Sequence, residues 1–332
     1  MSPLTIGIIG IALLFLLFAT GMPIAFVMTL IGCLGYIYLG SVDGGLHILG
    51  ISFYAGGTSY TLSVIPLFVL MGQFASHAGL SHEIYYAVQR WIGHKRGGLA
   101  MATVGACAGF AAISGSSVAT AATMGTVALP EMRKYGYGTS LATGTVAAGG
   151  TLGILIPPSA TFVFYAILTE QSVGKLFIAG ILPGILLALL FMLAINIQVR
   201  LDPQIAPRSE AAALKERISA LKGVWGMLAL FVLVMGGIYI GVFTPTEAAG
   251  IGAFGAFVFS IYKRNMSWKR FMDSLRMTGQ NTGMIFIIVI GAYVFGYFLA
   301  VTRIPFELAE YMSGLKLSPY IILAGVVLIY TI

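Results

Sequence analysis

The sequence is short of charged residues, and this shortage is its most informative property. Only 9% of its 332 residues are charged, whereas a soluble domain carries about 25%. Hydrophobic residues make up 58% of the chain, and the mean hydropathy is +0.96. These values exclude a soluble globular protein and predict an all-α protein that crosses the membrane several times.

Cysteine is also scarce, and the residues needed for metal or nucleotide chemistry are not arranged for it. Cys33 and Cys107 lie in separate apolar segments, so we expect buried free thiols and not a disulfide framework. The histidines show no metal-ligand spacing, which predicts no metal centre. No Walker motif is present, so any energy input would come from an ion gradient or another chain. No membrane-embedded Asp, Lys or His accompanies Ser114, which disfavours a serine hydrolase and predicts no enzyme activity.

Long apolar runs fill the rest of the sequence, and about 20 residues suffice to cross the hydrocarbon core. The candidate membrane segments are 4–20, 23–40, 58–78, 99–130, 138–168, 175–199, 222–242, 244–262, 281–301 and 318–332. No basic leader precedes the first segment, so it is expected to be a transmembrane helix and not a signal peptide. The segments 99–130 and 138–168 are too long for one crossing, and both contain residues that break helices.

Three stretches between these segments place apolar residues at helical spacing, with polar residues on the opposite face. The stripes are Leu80, Ile84, Val88, Trp91 and Ile92; Trp268, Phe271, Met272 and Leu275; and Ile304, Leu308, Tyr311, Met312 and Leu315. Two interpretations are equally supported: helices that lie in the membrane interface, or surface helices that pack against the bundle.

The net charge of +7 is explained by membrane topology, because Lys and Arg accumulate in cytoplasmic loops. The four basic clusters are Arg90, Lys95 and Arg96; Arg133 and Lys134; Arg200, Arg208, Lys215, Arg217 and Lys222; and Lys263, Arg264, Lys269, Arg270 and Arg276. With all four in the cytoplasm, segment 99–130 must enter from that side and return, which predicts a re-entrant hairpin. Lys175, Arg303 and Lys316 then lie outside, and nucleic-acid binding is not indicated.

The two interrupted segments predict a site. The hairpin tip is expected at Ser114, Gly115, Ser116 and Ser117, within AAISGSSVATAATMG (111–125), where glycine permits a tight turn. Segment 138–168 is expected to break within GGTLGILIPPSATF (149–162), because the two prolines cannot continue a helix. Backbone groups at membrane depth must be paired or must line a cavity, so two breaks in one unit indicate a functional cavity.

The chemistry of the two breaks favours a cation and an anion together. Free carbonyl and hydroxyl oxygens can replace the hydration shell of a hard cation such as Na⁺. The helix N-termini that follow the breaks, near Val118 and Ser159, favour a carboxylate. Close packing of small residues is the alternative, and for Ser114, Ser116 and Thr151 both interpretations stay open.

Other polar residues in the apolar segments are expected to have structural roles. Thr120 and Thr123 are assigned to helix packing. Glu247 is expected to be a partner of a helix N-terminus or an acid that reaches the interface, and Gln280 and Asn281 to form hydrogen bonds across helices.

A similar order of elements suggests an inverted internal repeat. MPIAFVMTLIGCLGYIY resembles TPTEAAGIGAFGAFVF, and each opens a Gly-rich helix next to a proline. PLFVLMGQF (66–74) resembles FIIVIGAYV (286–294), which pairs Gly72 with Gly291. At that offset Ile113 corresponds to Ile332, so the sequence is expected to be part of a longer chain that continues into a second hairpin.

Taken together, SGSSVATAATMGTVALPEM, GTLGILIPPS and YIGVFTPTEAAGIGAFGA resemble the large membrane subunit of a tripartite ATP-independent periplasmic (TRAP) transporter. The resemblance covers the chain from about residue 4 onwards. It implies an inverted-repeat, elevator-type fold with a re-entrant helical hairpin and broken helices. It also implies a Na⁺-coupled importer of organic acids, such as C4-dicarboxylates or sialic acid, in the lipid of the cytoplasmic (inner) membrane. Its partners would be a small membrane subunit and a periplasmic substrate-binding protein.

The resemblance also implies roles for the residues of the two breaks. Na⁺ binding is implied for Ser114, Gly115, Ser116, Ser117, Gly150, Thr151, Gly153 and Pro157. Substrate binding is implied for Ser116, Ser117, Pro158 and Ser159. The second hairpin and second broken helix of the family are not in this sequence, so a second Na⁺ site and half of the substrate site are expected beyond Ile332.

The expected organisation has six parts. Residues 1–78 are scaffold helices of the first repeat, 79–98 an interfacial arm helix, 99–174 the transport-domain hairpin and broken helix, 175–221 a connecting helix and cytoplasmic loop, 222–280 scaffold helices of the second repeat with an arm helix, and 281–332 a further scaffold helix, an interfacial helix and the start of a second hairpin. Two alternative functions remain: a stand-alone ion or carboxylate carrier built from similar hairpins, or a non-transporting membrane assembly subunit.

Overall fold

The computed structural model describes residues 2–209, 211–314 and 318–331, without the side chains of residues 319, 329 and 330. All regular structure in these ranges is helical. The helices are α1 (Pro3–Ala19), α2 (Ile24–Leu39), α3 (Val42–Thr58), α4 (Val64–His77), α5 (Leu80–Ile92), α6 (Gly98–Ser114), α7 (Ser117–Lys134), α8 (Thr139–Thr151), α9 (Ala160–Leu168), α10 (Val173–Leu201), α11 (Leu214–Phe231), α12 (Gly237–Ile240), α13 (Pro245–Tyr262), α14 (Trp268–Thr302), α15 (Ile304–Gly314) and α16 (Pro319–Thr331).

Several helices have the dimensions of membrane spans. By length and composition, α10, α14 and the continuous stretch Leu214–Ile240 can each cross a bilayer. That stretch joins α11 to α12 through a wider π-helical turn at Val232–Gly236. Three shorter apolar helices, α1, α2 and α6, accompany them. The helical, apolar character agrees with the prediction from the charge deficit.

Two helices differ from the sequence-based expectation. The amphipathic stretch at Trp268 and the span 281–301 were expected to be separate, but α14 runs through both as one helix of 35 residues. Nothing in residues 276–280 stops a helix, since that stretch lacks proline and its Gly279 has open space around it. Helix α3 was not predicted, because its five glycines mask its helical character. The Ser41 hydroxyl caps α3 by accepting a hydrogen bond from the Gly44 amide.

The first of two compact units comprises Met1–Ser59 and Gly283–Ile332. Its core residues are Leu14, Val27, Ile31 and Phe298. Glycine lets the helices approach closely, because a methyl group at Gly32 of α2 would lie 2.8 Å from the backbone of Phe295 in α14. The third amphipathic stripe lies on α15 with Leu308 and Tyr311 exposed, while Leu315 lies outside the described residues.

The second unit, Tyr60–Thr282, contains both interrupted segments. Helix α4 packs along α13, and α6 packs against α5, α7 and α8. Leu80 and Ile84 of α5 are buried against the unit. For this first stripe, the structure therefore favours a helix packed on the bundle.

Short contacts connect the segments that carry the basic clusters of the second unit. Lys95 and Arg96 line one cleft with residues of the third cluster. The Gly138 amide, just after the second cluster, donates to the Ile205 carbonyl at 2.9 Å, and Lys263 of the fourth cluster pairs with Glu83 of α5. That all four clusters share one side of the membrane stays a prediction.

The local features of the proposed repeat are present, although the repeat itself stays a prediction. Pro23 immediately precedes α2, and Pro245 opens α13. The predicted correspondence of Ile113 with Ile332 involves a residue outside the described ranges. The six-part division of the chain likewise remains a prediction.

Candidate ion and substrate site

A sharp turn at Gly115 separates the two arms of the hairpin, as the sequence predicts. Gly115 has φ +61°, a left-handed conformation that favours glycine, and its amide caps α6 by donating to the Ala111 carbonyl at 3.2 Å. Ser116 then begins α7 because its hydroxyl accepts the Ala119 amide at 3.3 Å. The tip thus combines a glycine turn with a serine cap.

The two arms of the hairpin meet again at their base. The Leu99 amide at the start of α6 donates to the Tyr137 hydroxyl oxygen just beyond α7, at 3.2 Å. Burial raises the pKa of Tyr137 more than this hydrogen bond lowers it, so the phenol stays neutral at physiological pH. The chain therefore enters and leaves the hairpin at one end, where Arg133 and Lys134 lie. That the hairpin is re-entrant in the membrane stays a prediction.

The second break follows α8. The chain continues from Thr151 through a 3₁₀ turn at Leu152–Ile154, and α9 begins only at Ala160. In the part of the chain that the structure describes, no hydrogen-bond donor reaches the four carbonyl oxygens of residues 155–158. The Ser159 hydroxyl donates to the Ile154 carbonyl at 2.7 Å and holds the extended stretch in place. Proline explains the break, since Pro157 and Pro158 supply no amide donor.

The hairpin tip lies directly against this second break. The Ala160 amide, the first of α9, donates to the Gly115 carbonyl at 3.3 Å. A methyl group at Gly115 would lie 2.9 Å from the Pro158 carbonyl oxygen, and one at Gly153 would overlap the Ser116 carbonyl. The predicted tip and the predicted break therefore form one structure, and glycine is required on both sides of their contact.

Two buried hydroxyl groups lie at this contact. The Ser114 and Thr120 hydroxyls share a hydrogen bond of 2.7 Å, and the two residues are 3% and 0% exposed. Thr120 also touches Gly153, where a methyl group would come within 2.6 Å of the threonine oxygen. Gly72 of α4 closes the other side, where a methyl group would lie 2.9 Å from the Cα atom of Ser114. Thr120 was assigned to helix packing alone, but it joins the hairpin to the broken helix.

The remaining predicted residues divide into two groups. Gly150 is buried against Ala121 of α7, and Ser117 is half-buried in the first turn of that helix, so both lie in the assembled region. Pro157 is buried in the extended stretch. Thr151 is exposed, and its hydroxyl donates to the Ala148 carbonyl of its own helix at 2.6 Å. The structure does not bring the Thr151 hydroxyl to the tip.

A cleft of about 390 Å³ with a largely apolar wall and a group of polar side chains, named the polar cleft for that group, lies beside α7, between that helix, α4 and the first part of α14. Its polar lining residues include Gln73, His77, Thr123, Gln280 and Asn281. Gly72 belongs to both the cleft and the contact at Ser114. None of these polar residues is among the site residues predicted from the sequence. A sequence pattern does indicate part of this group, because Gln73, Ser76 and His77 recur at helical spacing on one face of an apolar segment.

Glu247 has a local role at the start of α13. Its carboxylate accepts the Thr244 amide and hydroxyl, both at 2.8 Å, while the Glu247 amide donates to the Thr244 hydroxyl oxygen at 3.3 Å. This capping box supports the expectation of a partner at a helix N-terminus. Both thiols are free, as expected, but only Cys107 is buried, whereas Cys33 is half-buried.

Comparison with known proteins identifies relatives along most of the chain. Residues 11–332 match the family model of the tripartite ATP-independent periplasmic transporter, DctM component. A C4-dicarboxylate TRAP transporter large permease protein of Pseudomonas aeruginosa is 43% identical over 83% of this chain and 64% of its own length. The 2,3-diketo-L-gulonate large permease of Escherichia coli is 33% identical over 91% of this chain and 70% of its own. The sialic acid large permease of Vibrio cholerae is 30% identical over 93% and 71%. The chain thus spans about two thirds of the length of these relatives.

Proposed function

This chain belongs to the DctM component family of tripartite ATP-independent periplasmic transporters, and from that membership we propose that it imports an organic acid by Na⁺ symport. It is a multi-pass membrane protein of the large permease type. Three of its relatives are named for C4-dicarboxylate, 2,3-diketo-L-gulonate and sialic acid, each of which carries a carboxylate. A small organic carboxylate is therefore the proposed substrate class.

The contact between the Gly115 carbonyl and the Ala160 amide carries the proposal of a Na⁺ site. It holds carbonyl oxygens of the extended stretch 155–158, which lack donors, close to the hairpin tip. Carbonyl and hydroxyl oxygens carry partial negative charge without a net charge, which suits a weakly held monovalent cation. Ser114 and Thr120 would supply hydroxyl oxygens on the hairpin side, and Ser116 its carbonyl. An ion here would join the two breaks and order the tip.

The polar cleft beside α7 supports a place for the substrate. It begins at the first turn of α7, where the amides of a helix N-terminus attract a carboxylate. Gln73 and Asn281 offer amide donors from two other helices. We place the carboxylate of the substrate near Ser116 and Ser117. The polar remainder of the substrate would then face the side-chain amides of Gln73 and Asn281. Ion binding at the tip would fix the backbone amides at the start of α7 that bind the carboxylate. The binding of Na⁺ and the binding of the organic acid would therefore be coupled.

The proposed cycle moves residues 99–174 across the membrane as an elevator, carrying ion and substrate together. A small membrane subunit would anchor the scaffold, and a periplasmic binding protein would deliver the acid. Partial neutralisation of the carboxylate by Na⁺ lowers the cost of moving it through a medium of low dielectric constant.

Uptake into proteoliposomes tests this function. The protein, with its small membrane subunit, is reconstituted and given the binding protein loaded with a radiolabelled organic acid. We expect accumulation that requires both an inward Na⁺ gradient and the binding protein. Equal uptake with K⁺ in place of Na⁺ would refute the coupling, and equal uptake without the binding protein would favour a stand-alone carrier.

A further inference from the structure

A strongly basic cleft lies at the base of the hairpin, away from the tip. Its volume is about 470 Å³, and its wall carries Lys95, Arg96, Arg200, Arg208 and His94. The four Lys and Arg side chains are charged at neutral pH, and none of the lining residues is acidic. Positive charges gathered around one space repel one another unless an anion lies between them.

Specific contacts build this cleft from three segments. Gly97 has φ +68° and lies so close to α10 that a methyl group there would be 3.1 Å from the Val199 side chain. This close turn brings Lys95 and Arg96 to the end of α10, next to Arg200. The Ser209 hydroxyl donates to the Gly93 carbonyl at 2.6 Å, which ties the segment bearing Arg208 to the same turn.

Among the described residues, one carboxylate close to the cleft in sequence is already engaged. Asp202 follows Arg200 closely in sequence, and its side chain accepts the Gln204 amide at 3.2 Å. The ion pairs seen in residues 2–209, 211–314 and 318–331 are Arg90–Glu216 and Lys263–Glu83, which include no cation of the cleft. The charge of the cleft is therefore available to an anion from outside the protein.

The surroundings of the cleft favour a lipid as the source of that anion. Next to Arg200, α10 exposes the apolar side chains Leu193, Ile197 and Leu201, the last to 82%. Because α10 has the length and composition of a membrane span, this face meets acyl chains while its basic end meets headgroups. Basic pockets between membrane helices on the cytoplasmic side suit phosphate headgroups.

We propose that this cleft binds the phosphate of an acidic phospholipid, whose acyl chains lie on the exposed apolar face of α10. The cleft is distinct from the residues of the ion and substrate site. The inference goes beyond the transport function, since lipid binding requires neither Na⁺ nor an organic acid.

The test measures lipid binding to the purified protein by native mass spectrometry and by thermal melting in detergent. Phosphatidylglycerol is expected to bind and raise Tm, and phosphatidylcholine with the same chains is expected to do neither. The Arg96→Gln/Arg200→Gln variant should weaken phosphatidylglycerol binding at least about tenfold, because each basic residue contributes separately to attraction of an anionic lipid. The matched control, Lys215→Gln/Lys222→Gln, removes the same charge from exposed residues of α11 and should bind within about twofold of wild type.

Two further arms keep the outcome unambiguous. Arg208→Gln, a single change at an exposed residue, should weaken lipid binding in a protein that keeps its size-exclusion profile and unliganded Tm. Inorganic phosphate without lipid should not raise Tm, and if it stabilises the protein as much as phosphatidylglycerol does, the lipid assignment is overturned. Unchanged phosphatidylglycerol binding in the cleft variants, or equal loss in the α11 control, would overturn the site itself.

Discussion

The carbonyl oxygen of Gly115 accepts a hydrogen bond from the amide of Ala160 at 3.3 Å, which joins the hairpin tip to the first turn of α9. Both groups lie at helix ends, where a backbone donor or acceptor has no partner within its own helix. Joining them satisfies one donor and one acceptor in an apolar region, and it leaves the carbonyl oxygens of the proline stretch free. The contact explains how the two helix breaks are held together while these carbonyl oxygens keep no donor in the described part of the chain.

Gly115→Ala should disturb this contact. Alanine in the left-handed conformation costs about 1–2 kcal/mol, and its methyl group would lie 2.9 Å from the Pro158 carbonyl oxygen. We expect the free energy of unfolding to fall by about that amount and Na⁺-driven uptake to fall at least about tenfold. Gly144→Ala in α8 is the matched control, since Gly144 has open space around it and alanine is the better helix former. Full uptake by Gly115→Ala would contradict the importance of the contact.

Ser114→Ala and Thr120→Val should weaken Na⁺ binding selectively. Each removes one of the two hydroxyls that share the 2.7 Å hydrogen bond, and each leaves a buried partner unsatisfied. We expect the Na⁺ concentration for half-maximal uptake to rise about tenfold, and stabilisation by Na⁺ in thermal melts to shrink accordingly. Thr143→Val, at an exposed hydroxyl bonded within α8, should leave both quantities unchanged. An identical Na⁺ response in all three variants would remove these hydroxyls from the ion site.

The sequence was sufficient to predict the two breaks because their signals are local. A glycine between serines, and two prolines before a serine, interrupt a helix through steric and hydrogen-bonding effects within a few residues. Loop charge then supplied the predicted direction of the hairpin, which stays a prediction; the Leu99–Tyr137 contact shows that both arms end together. The family resemblance implied that residues of the hairpin tip and of the second break act at one ion site. The structure brings the tip and the break together.

What the sequence could not supply depends on contacts between distant segments. Thr120 looks like any packing threonine until its hydroxyl is seen against Ser114 and Gly153. The polar cleft combines α4, α7 and α14, which are far apart in the sequence, and no local pattern predicts that meeting. Thr151 is the opposite case, since its motif predicts a ligand at the tip. Its hydroxyl instead donates to a carbonyl of its own helix, an acceptor that the motif does not reveal.

Gln73→Leu and Asn281→Leu should impair substrate binding and leave the Na⁺ dependence intact. Both residues line the polar cleft, and each loses a donor that we place near the organic acid. The loss of one such hydrogen bond should raise KM for the acid about tenfold. Gln171→Leu makes the same change at an exposed residue bonded to the Thr169 carbonyl, and it should behave as wild type. Unchanged KM in both cleft variants would move the substrate elsewhere.

Cysteine labelling should reveal the predicted sidedness. Lys95→Cys and Lys134→Cys should react with a membrane-impermeant maleimide only after the cytoplasmic face is opened, since basic clusters remain inside. Lys175→Cys, exposed at the start of α10, should react in intact spheroplasts. Cys33 is replaced by serine in this background, and the fully buried Cys107 is retained as an unreactive reference. Labelling of Lys134→Cys from outside would rule out a hairpin that enters from the cytoplasm.

Exchanging the charges of Glu83 and Lys263 should separate a structural ion pair from an incidental one. The pair links α5 to the end of α13, both side chains are 27% exposed, and the second carboxylate oxygen of Glu83 is buried without a partner. Glu83→Lys alone should lower the free energy of unfolding by about 1–3 kcal/mol, because two cations then face each other in a partly dry site, and Lys263→Glu should restore most of that loss.

The Arg90–Glu216 pair provides the comparison: it is longer, at 3.4 Å, and more exposed, so Glu216→Gln should change stability little. A double-mutant cycle from chemical unfolding in detergent measures both couplings, and equal values for the two pairs would contradict a structural role for Glu83. A clear coupling for Glu83 and Lys263 would show that α5 is held on protein at this end, as the burial of Leu80 and Ile84 requires.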